Sequence, residues 1–243
     1  MDTKKSTDER RSHGALCACT HANMAEEIAK VLHGGGKVEE RARIQCIVKS
    51  TFSETKLVPA LNDMLIANPS PAAVSRFRMG WMEKVDTGDS APLRDGNAFQ
   101  GSGLSSLEER ATQPYSQYGT ITRFGGIAYD IKNSLNVWSS GIWLSTATGC
   151  SAAMKAAGGM PMETQSTDLQ YLIREHIFES NEKKGQDNGF AHKGEQLHLR
   201  WNSQKGTIFI DGSHMTHDIE LGDEILINSQ APPLTLFVPS DST

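Results

Sequence analysis

The sequence predicts a mainly β protein of the sandwich type, carrying a short α/β segment at its N-terminal end. Three observations predict it. Apolar runs of strand length recur between residues 42 and 238, turn-forming residues punctuate them, and helical periodicity is clear only over residues 23–36. Many short strands joined by turns, with few helices, suit two packed β layers better than an α/β repeat.

Taken in order, residues 1–13 (MDTKKSTDERRSH) read as a solvated, charged tail. GALCACT, from residue 14, is a short buried-strand candidate, and NMAEEIAKVLHGGG reads as a helix. Asn23 is placed to cap that helix, with Glu26 three residues on as the partner of a capping-box-like pair. Met24, Ile28, Val31 and Leu32 share one face, as a packing helix requires, and Gly34 is a natural stop. Residues 14–36 therefore form the N-terminal remnant, and the β domain runs over 37–243.

That domain opens with period-two sequence, where Ala42, Ile44, Cys46 and Val48 alternate with Arg43, Gln45 and Lys49 as in a half-buried strand. LVPALNDMLI, AVSRFRM, GIWLS, LQYLIREHIF, QLHLRWN, GTIFIDG, DEILIN and LTLFV supply further strand candidates. Residues 80–137 differ, being rich in Gly, Ser, Thr, Asp and Arg; they read as a long loop or insertion with one short hairpin near YGTITRFGGIAYD.

Composition excludes several functions. A chain of 243 residues, 37% hydrophobic and 22% charged, can bury a sizeable core, and its net charge of -5 argues against a general nucleic-acid surface. No apolar run approaches the ~20 residues of a membrane helix, and the charged N-terminus lacks a secretory h-region. Cys17, Cys19, Cys46 and Cys150 have neither zinc spacing nor the density of a disulfide scaffold, so no metal site and a reducing, cytoplasmic setting are the default. His214 and His217 alone approach metal spacing, but they sit where a turn leads into a strand. Asp211-Gly212 reads as a hairpin turn, and Lys155 as a solvated helix lysine.

Two stretches carry chemistry. GIWLSTATGCSAAMKAAGGM, at 141–160, runs from an apolar strand into small and hydroxylated residues. Such residues let a ligand lie against the backbone, although close packing of strand on helix explains them equally well. There is no GKS or GKT and no GxGxxG, so neither a Walker A loop nor a Rossmann fingerprint is present. The second stretch, ALNDMLIANPSPAAVSRFRM at 60–79, places Asn62 and Asp63 at a strand, where both residue types are depleted and an unpaired carboxylate is expensive. Either the pair lies in a turn or bulge facing water, or something polar meets it.

These stretches resemble the NAD(H) kinase family, and its plant-type NADH kinase branch in particular. Ala60-Leu61-Asn62-Asp63 matches the family's A-L-N-[ED], and Ser145 to Ala152 matches its S-T-x-x-G-S-T-A loop, followed by Ala157-Gly158-Gly159. VEERARIQCIV, DLQYLIREHI and GTIFIDG…IELGDEILI…APPLTLF follow in the same order. The resemblance implies the β-sandwich-like C-terminal domain of that family, with NAD or NADH as substrate, ATP and Mg2+ as further requirements, and a homodimer as the assembly. It implies that Asn62 contacts the adenine and that Asp63 accepts from a ribose hydroxyl. Thr146, Ser151, Ala152 and Ala156 would belong to the loop that lines the adenosine pocket.

The sequence also departs from that pattern. The family's GGDG loop, expected to supply the catalytic Asp, is missing: GGGK at 34–37 and GGIAYD at 125–130 hold paired glycines without G-D-G, and RDGN at 94–97 offers only Asp95-Gly96. No catalytic residue is therefore identified, and an incomplete chain is the expectation, its targeting segment lost with the missing part if the protein is organellar. Trp138 stands where a basic residue is usual in the plant branch, Ala153 replaces a Tyr of the common pattern as in that branch, and Ala156 takes a frequent Ser position. The alternative is a catalytically silent subunit that binds a dinucleotide or pairs with a complete kinase. The related lipid kinases lack the A-L-N-[ED] and S-T-x-x-G-S-T-A combination and rank last.

Overall fold

The computed structural model describes residue 16 and residues 22–85, 120–178 and 187–239. Among these, one helix, α1 (Met24–Leu32), precedes fifteen strands. These are β1 (Gly36–Arg41), β2 (Gln45–Lys49), β3 (Glu54–Lys56), β4 (Asp63–Ala67), β5 (Ser75–Lys84), β6 (Thr120–Phe124), β7 (Ile127–Ser139) and β8 (Gly141–Ser145). Beyond a short helical turn at Cys150–Met154 come β9 (Leu169–Arg174), β10 (Asn188–Ala191), β11 (Leu197–Trp201), β12 (Lys205–Ile210), β13 (Met215–Glu220), β14 (Glu224–Asn228) and β15 (Leu234–Pro239).

The strands form a six-stranded sheet, β10-β9-β8-β4-β12-β13, and a seven-stranded sheet, β3-β2-β14-β11-β5-β7-β6, with β1 and β15 paired as a separate ribbon. Every neighbouring pair is antiparallel. Period-two sequence then sends one set of side chains inward. Met64 and Ile66 of β4, Ile142 and Leu144 of β8, and Ile208 of β12 meet Cys46, Phe77, Leu199 and Ile225 from the other sheet in one core. Phe77 and Trp201 stack in it with ring centroids 6.0 Å apart. Each fully buried aliphatic side chain of this kind contributes about 1.5–3 kcal/mol, so the sandwich is held by its interior and not by its turns.

Two expectations need correction. Residues 80–137 hold more than a loop with one hairpin: the hairpin expected near YGTITRFGGIAYD is β6 with the start of β7, but β5 also continues to Lys84 and β7 runs on to Ser139. Met82, Phe124, Tyr129, Ile131 and Leu226 close a second, smaller core there, so those strands are integral to the seven-stranded sheet. Residues 86–119, and the GALCACT strand apart from Leu16, lie outside the described residues. The helix stops as its sequence dictates, with Gly34 at φ 78 just past the end. Its capping and packing differ, however. Asn23 makes no side-chain capping bond, Glu26 pairs with Lys30, and no helix residue is fully buried; Leu32 is 77% exposed.

Candidate functional site

The sandwich brings the two chemistry-bearing stretches together. Strands β4 and β8 are neighbours in register, with Asp63 opposite Ser145 and Leu65 opposite Trp143. The turn ahead of β4 and the loop behind β8 therefore emerge side by side at one end of the six-stranded sheet.

Two residues lock them to each other. Thr146 is fully buried; its amide donates to the Asn62 carbonyl over 2.9 Å and its hydroxyl to the Leu61 carbonyl over 2.6 Å. The amides of Thr148 and Gly149 approach the same hydroxyl oxygen, and those of Gly149 and Cys150 donate to the Thr146 carbonyl. The Thr146 side chain is thus used within the protein, as the pin joining turn to loop. Asp211, in the β12–β13 hairpin, is the second lock. Its carboxylate accepts from the amides of Leu61 (2.8 Å), Asn62 (2.7 Å) and Asp63 (3.2 Å), while its own amide donates to the Asp63 carbonyl (3.0 Å). Turn chemistry explains why an Asp sits there, since its φ is 50. Its grip on the 61–63 turn was not visible in the sequence.

Gly149 lies directly over the Asn62 backbone, and a Cβ added to it would fall inside the contact radius of the Asn62 carbonyl oxygen. Backbone against backbone cannot yield as a flexible side chain can. Gly149→Ala should therefore push the loop off the turn, lowering the melting temperature and weakening any ligand that spans the two. Thermal melts and nucleotide titration of this variant against Gly158→Ala, which meets open space though at φ 97, test the point.

With their backbones held, the Asn62 and Asp63 side chains are both half-buried, and no hydrogen bond ties up the Asn62 carboxamide among the described residues. Burial first, and the Asp211 carboxylate second, push the Asp63 carboxyl above its ordinary value; a hydrogen bond with Trp143 acts the other way. Among the described residues no cation pairs with Asp63, and the Trp143 hydrogen bond is what offsets its burial. Ser151, Ala152 and Ala156 are exposed on the helical turn and just beyond it, where Ala152 departs from helical geometry (φ -108, ψ -106).

Beside this lies an open cleft of about 710 Å³, bounded by Trp143, Ala153, Ala156, Gly158, Leu172 and Arg174 among others. Of the expected site residues only Ala156 borders it. The Arg174 guanidinium rides over the Trp143 ring at 5.0 Å. Neither residue was singled out from sequence, because Trp143 reads as part of the apolar strand GIWLS and Arg174 as a strand-end charge. The volume is in the range of small-molecule sites, roughly 300–1,000 Å³.

Among the described residues, no three His, Cys, Asp or Glu side chains come together as metal ligands. Asp211's oxygens are already spent on three amides, so Asp63 is left as a lone carboxylate. A lone carboxylate makes no Mg2+ site by itself, since that ion takes one or two carboxylates together with substrate phosphates and waters. No described helix is long and apolar enough to cross a membrane.

No family model matches the sequence. Over 234 residues the chain is 31% identical to a probable NADH kinase of Oryza sativa subsp. japonica, covering 96% of this chain and 58% of that protein. It is 41% identical over 106 residues to an NADH kinase of Arabidopsis thaliana, covering 43% of this chain and 33% of that one. The chain thus matches little more than half the length of the rice protein and a third of that of the Arabidopsis one. Its fold resembles that of yeast NADH kinase, solved in complex with NADH, at a TM-score of 0.63 and 13% identity, over 93% of this chain and 52% of the yeast one. In sequence along nearly its whole length, and in fold, this chain is thus similar to the NADH kinases, both curated matches being plant proteins.

Proposed function

We propose that these 243 residues include the dinucleotide-binding domain of an NAD(H) kinase, which transfers a phosphoryl group from ATP to the 2′-hydroxyl of the adenosine ribose. The single observation that carries the reading is the locked junction of the 61–63 turn with the Ser145–Cys150 loop. It leaves one free carboxamide and one half-buried carboxylate beside an exposed run of small residues. An ionised carboxylate accepts from two vicinal ribose hydroxyls without leaving a donor unpaired, and a neutral amide can both donate to and accept from an adenine edge. Ser151, Ala152 and Ala156 lack the bulk to keep a base from the backbone. Thr146 serves the pocket by position. The assembly proposed is a homodimer, since the resemblance implies a site completed by a neighbouring subunit.

A second reading, a silent dinucleotide-binding or partner subunit, is favoured by one observation: the chain has no G-D-G. Phosphoryl transfer depends on positioning, metal and an activated nucleophile, and loss of a positioned general base alone costs roughly 10²–10⁴ in rate. The purified chain, given NADH, ATP and Mg2+, should therefore form little or no NADPH while still binding NADH. Turnover at about 1–100 s⁻¹, the ordinary kinase range, would refute the expected inactivity, whereas failure to bind either nucleotide would refute the site.

A further inference from the structure

The outer face of the seven-stranded sheet carries three arginines in an unusual arrangement. Arg78 of β5 and Arg200 of β11 are directly opposite each other in the antiparallel ladder, and Arg76 lies two residues from Arg78 on the same face. All three are exposed. Like charges at opposed positions destabilise a sheet, and among the described residues none of the three has a carboxylate within ion-pair distance. The nearest candidate, Glu224, lies opposite Arg200 but is committed elsewhere. His198 binds it at 3.0 Å, Lys49 at 3.3 Å, and the Thr122 hydroxyl donates to it. The His198 hydrogen bond leads in holding the Glu224 carboxyl down, to about 2.

The arginines are accompanied by exposed apolar groups. Trp138, opposite Arg76 on β7, is 43% exposed and lies under the Arg76 guanidinium at 4.7 Å; Ile121 of the neighbouring edge strand is 64% exposed. Between Arg78, Arg200, His198, Ile121 and Glu224, whose carboxylate is already held by His198 and Lys49, the sheet has a pit of about 70 Å³. That is far too small for a nucleotide, whose sites run to roughly 300–1,000 Å³. It suits a single carboxylate, which a pair of guanidinium forks can hold through parallel hydrogen bonds. Arg and Trp are also the residue types that dominate protein-interface energetics. Arg78 donates to the Ser134 hydroxyl and Arg76 lies on Trp138, but the three guanidiniums have no carboxylate partner among the described residues. A chain of net charge -5 repels a long polyanion as a whole, so this small basic patch suits a short acidic protein segment better than nucleic acid.

We infer that the Arg76–Arg78–Arg200–Trp138 face is a docking surface for an acidic segment of a partner protein, anchored by a Glu or Asp side chain between Arg78 and Arg200. The opposed arginines are then neutralised by the partner's carboxylate, and Trp138 with Ile121 packs against its apolar neighbours.

The test uses the full 243-residue chain and a labelled oligoglutamate peptide, followed by fluorescence anisotropy at low ionic strength. Arg78→Glu combined with Arg200→Glu should weaken binding by about tenfold or more, and Trp138→Ala should weaken it further. Lys56→Glu, a charge reversal on β3 elsewhere, should leave it within about twofold. The milder pair Arg78→Gln and Arg200→Gln should also weaken binding, yet melt no lower than wild type because it relieves the opposed charges. NADH affinity should be unchanged in all of these, which separates the surface from the nucleotide site. Peptide binding that survives both double variants overturns the proposal. So does an oligothymidylate of equal charge that binds more tightly through the same arginines, or a double variant that alters self-association while leaving peptide binding intact.

Discussion

Asp211→Ala should cost about 2–4 kcal/mol of stability and should also impair nucleotide binding, although Asp211 need touch no ligand. Hydrogen bonds to an ionised acceptor are each worth about 1.5–3 kcal/mol and do not add in full when they share one carboxylate. Here three amides lose their acceptor together. The left-handed backbone at residue 211 adds roughly 1 kcal/mol for an Ala. For a chain of this size such a loss shifts the melting temperature by roughly 4–16 °C. Asp211→Asn separates the two causes, because Asn tolerates the backbone and keeps one acceptor; it should fall between Ala and wild type. A melt of Asp211→Ala within about 1 °C of wild type would mean the 61–63 turn holds itself.

Much of the fold was legible because buried strands announce themselves. Where one face packs into the core, as at Ile142 and Leu144 or Ile225 and Ile227, the sequence shows an apolar run bounded by turns. The strands that escaped notice lack that signal. β1 is GKVEER, in a two-stranded ribbon with a single buried residue. β13 is MTHDIE at a sheet edge, where only Ile219 is buried, so it showed only as the strand into which the Asp211-Gly212 turn leads. β10 is four residues long, and β3 is exposed throughout. The start of β7 is the second arm of the hairpin expected near YGTITRFGGIAYD, but beyond it polar residues alternate and Asn133 turns to φ 48, which hides the strand's full length.

The site divides in the same way. Asn62, Asp63 and the Ser145–Ala152 loop were singled out because their residue types are costly or unusual for strand sequence and because they match a family pattern. Asp211 was passed over because a hairpin turn accounts for an Asp-Gly by itself, and its partner amides lie 148–150 residues away. Contacts at that separation leave no periodicity behind. Trp143 failed for the opposite reason, since an aromatic in an apolar strand is expected in the core, and only the sheet register puts it on the outer side with Asp63.

The second large effect concerns Asp63 itself, which should show stability and function pulling apart. Its carboxyl is held above the ordinary value by burial and by Asp211. A group whose folded pKa is raised favours the folded state when protonated, and that advantage is lost as pH rises through the folded pKa. At neutral pH the ionised Asp63 is therefore a cost to the free protein. Asp63→Asn keeps the shape and removes the charge, so it should melt at or above wild type near neutral pH, with the gain shrinking as the solution is acidified. The same change removes the acceptor proposed for the ribose hydroxyls. Loss of a charged partner from a desolvated hydrogen bond costs about 1.5–3 kcal/mol, which is roughly tenfold or more in affinity.

Calorimetric titration of NAD and NADH into the wild type, Asp63→Asn and Asp63→Ala, at matched oligomeric state and with melts of each, tests the nucleotide site most directly. The expected result is saturable binding by wild type, at least about tenfold weaker in both variants, with Asp63→Asn no less stable than wild type. A folded wild type that binds neither nucleotide, or affinity unaltered by either change at Asp63, would contradict it.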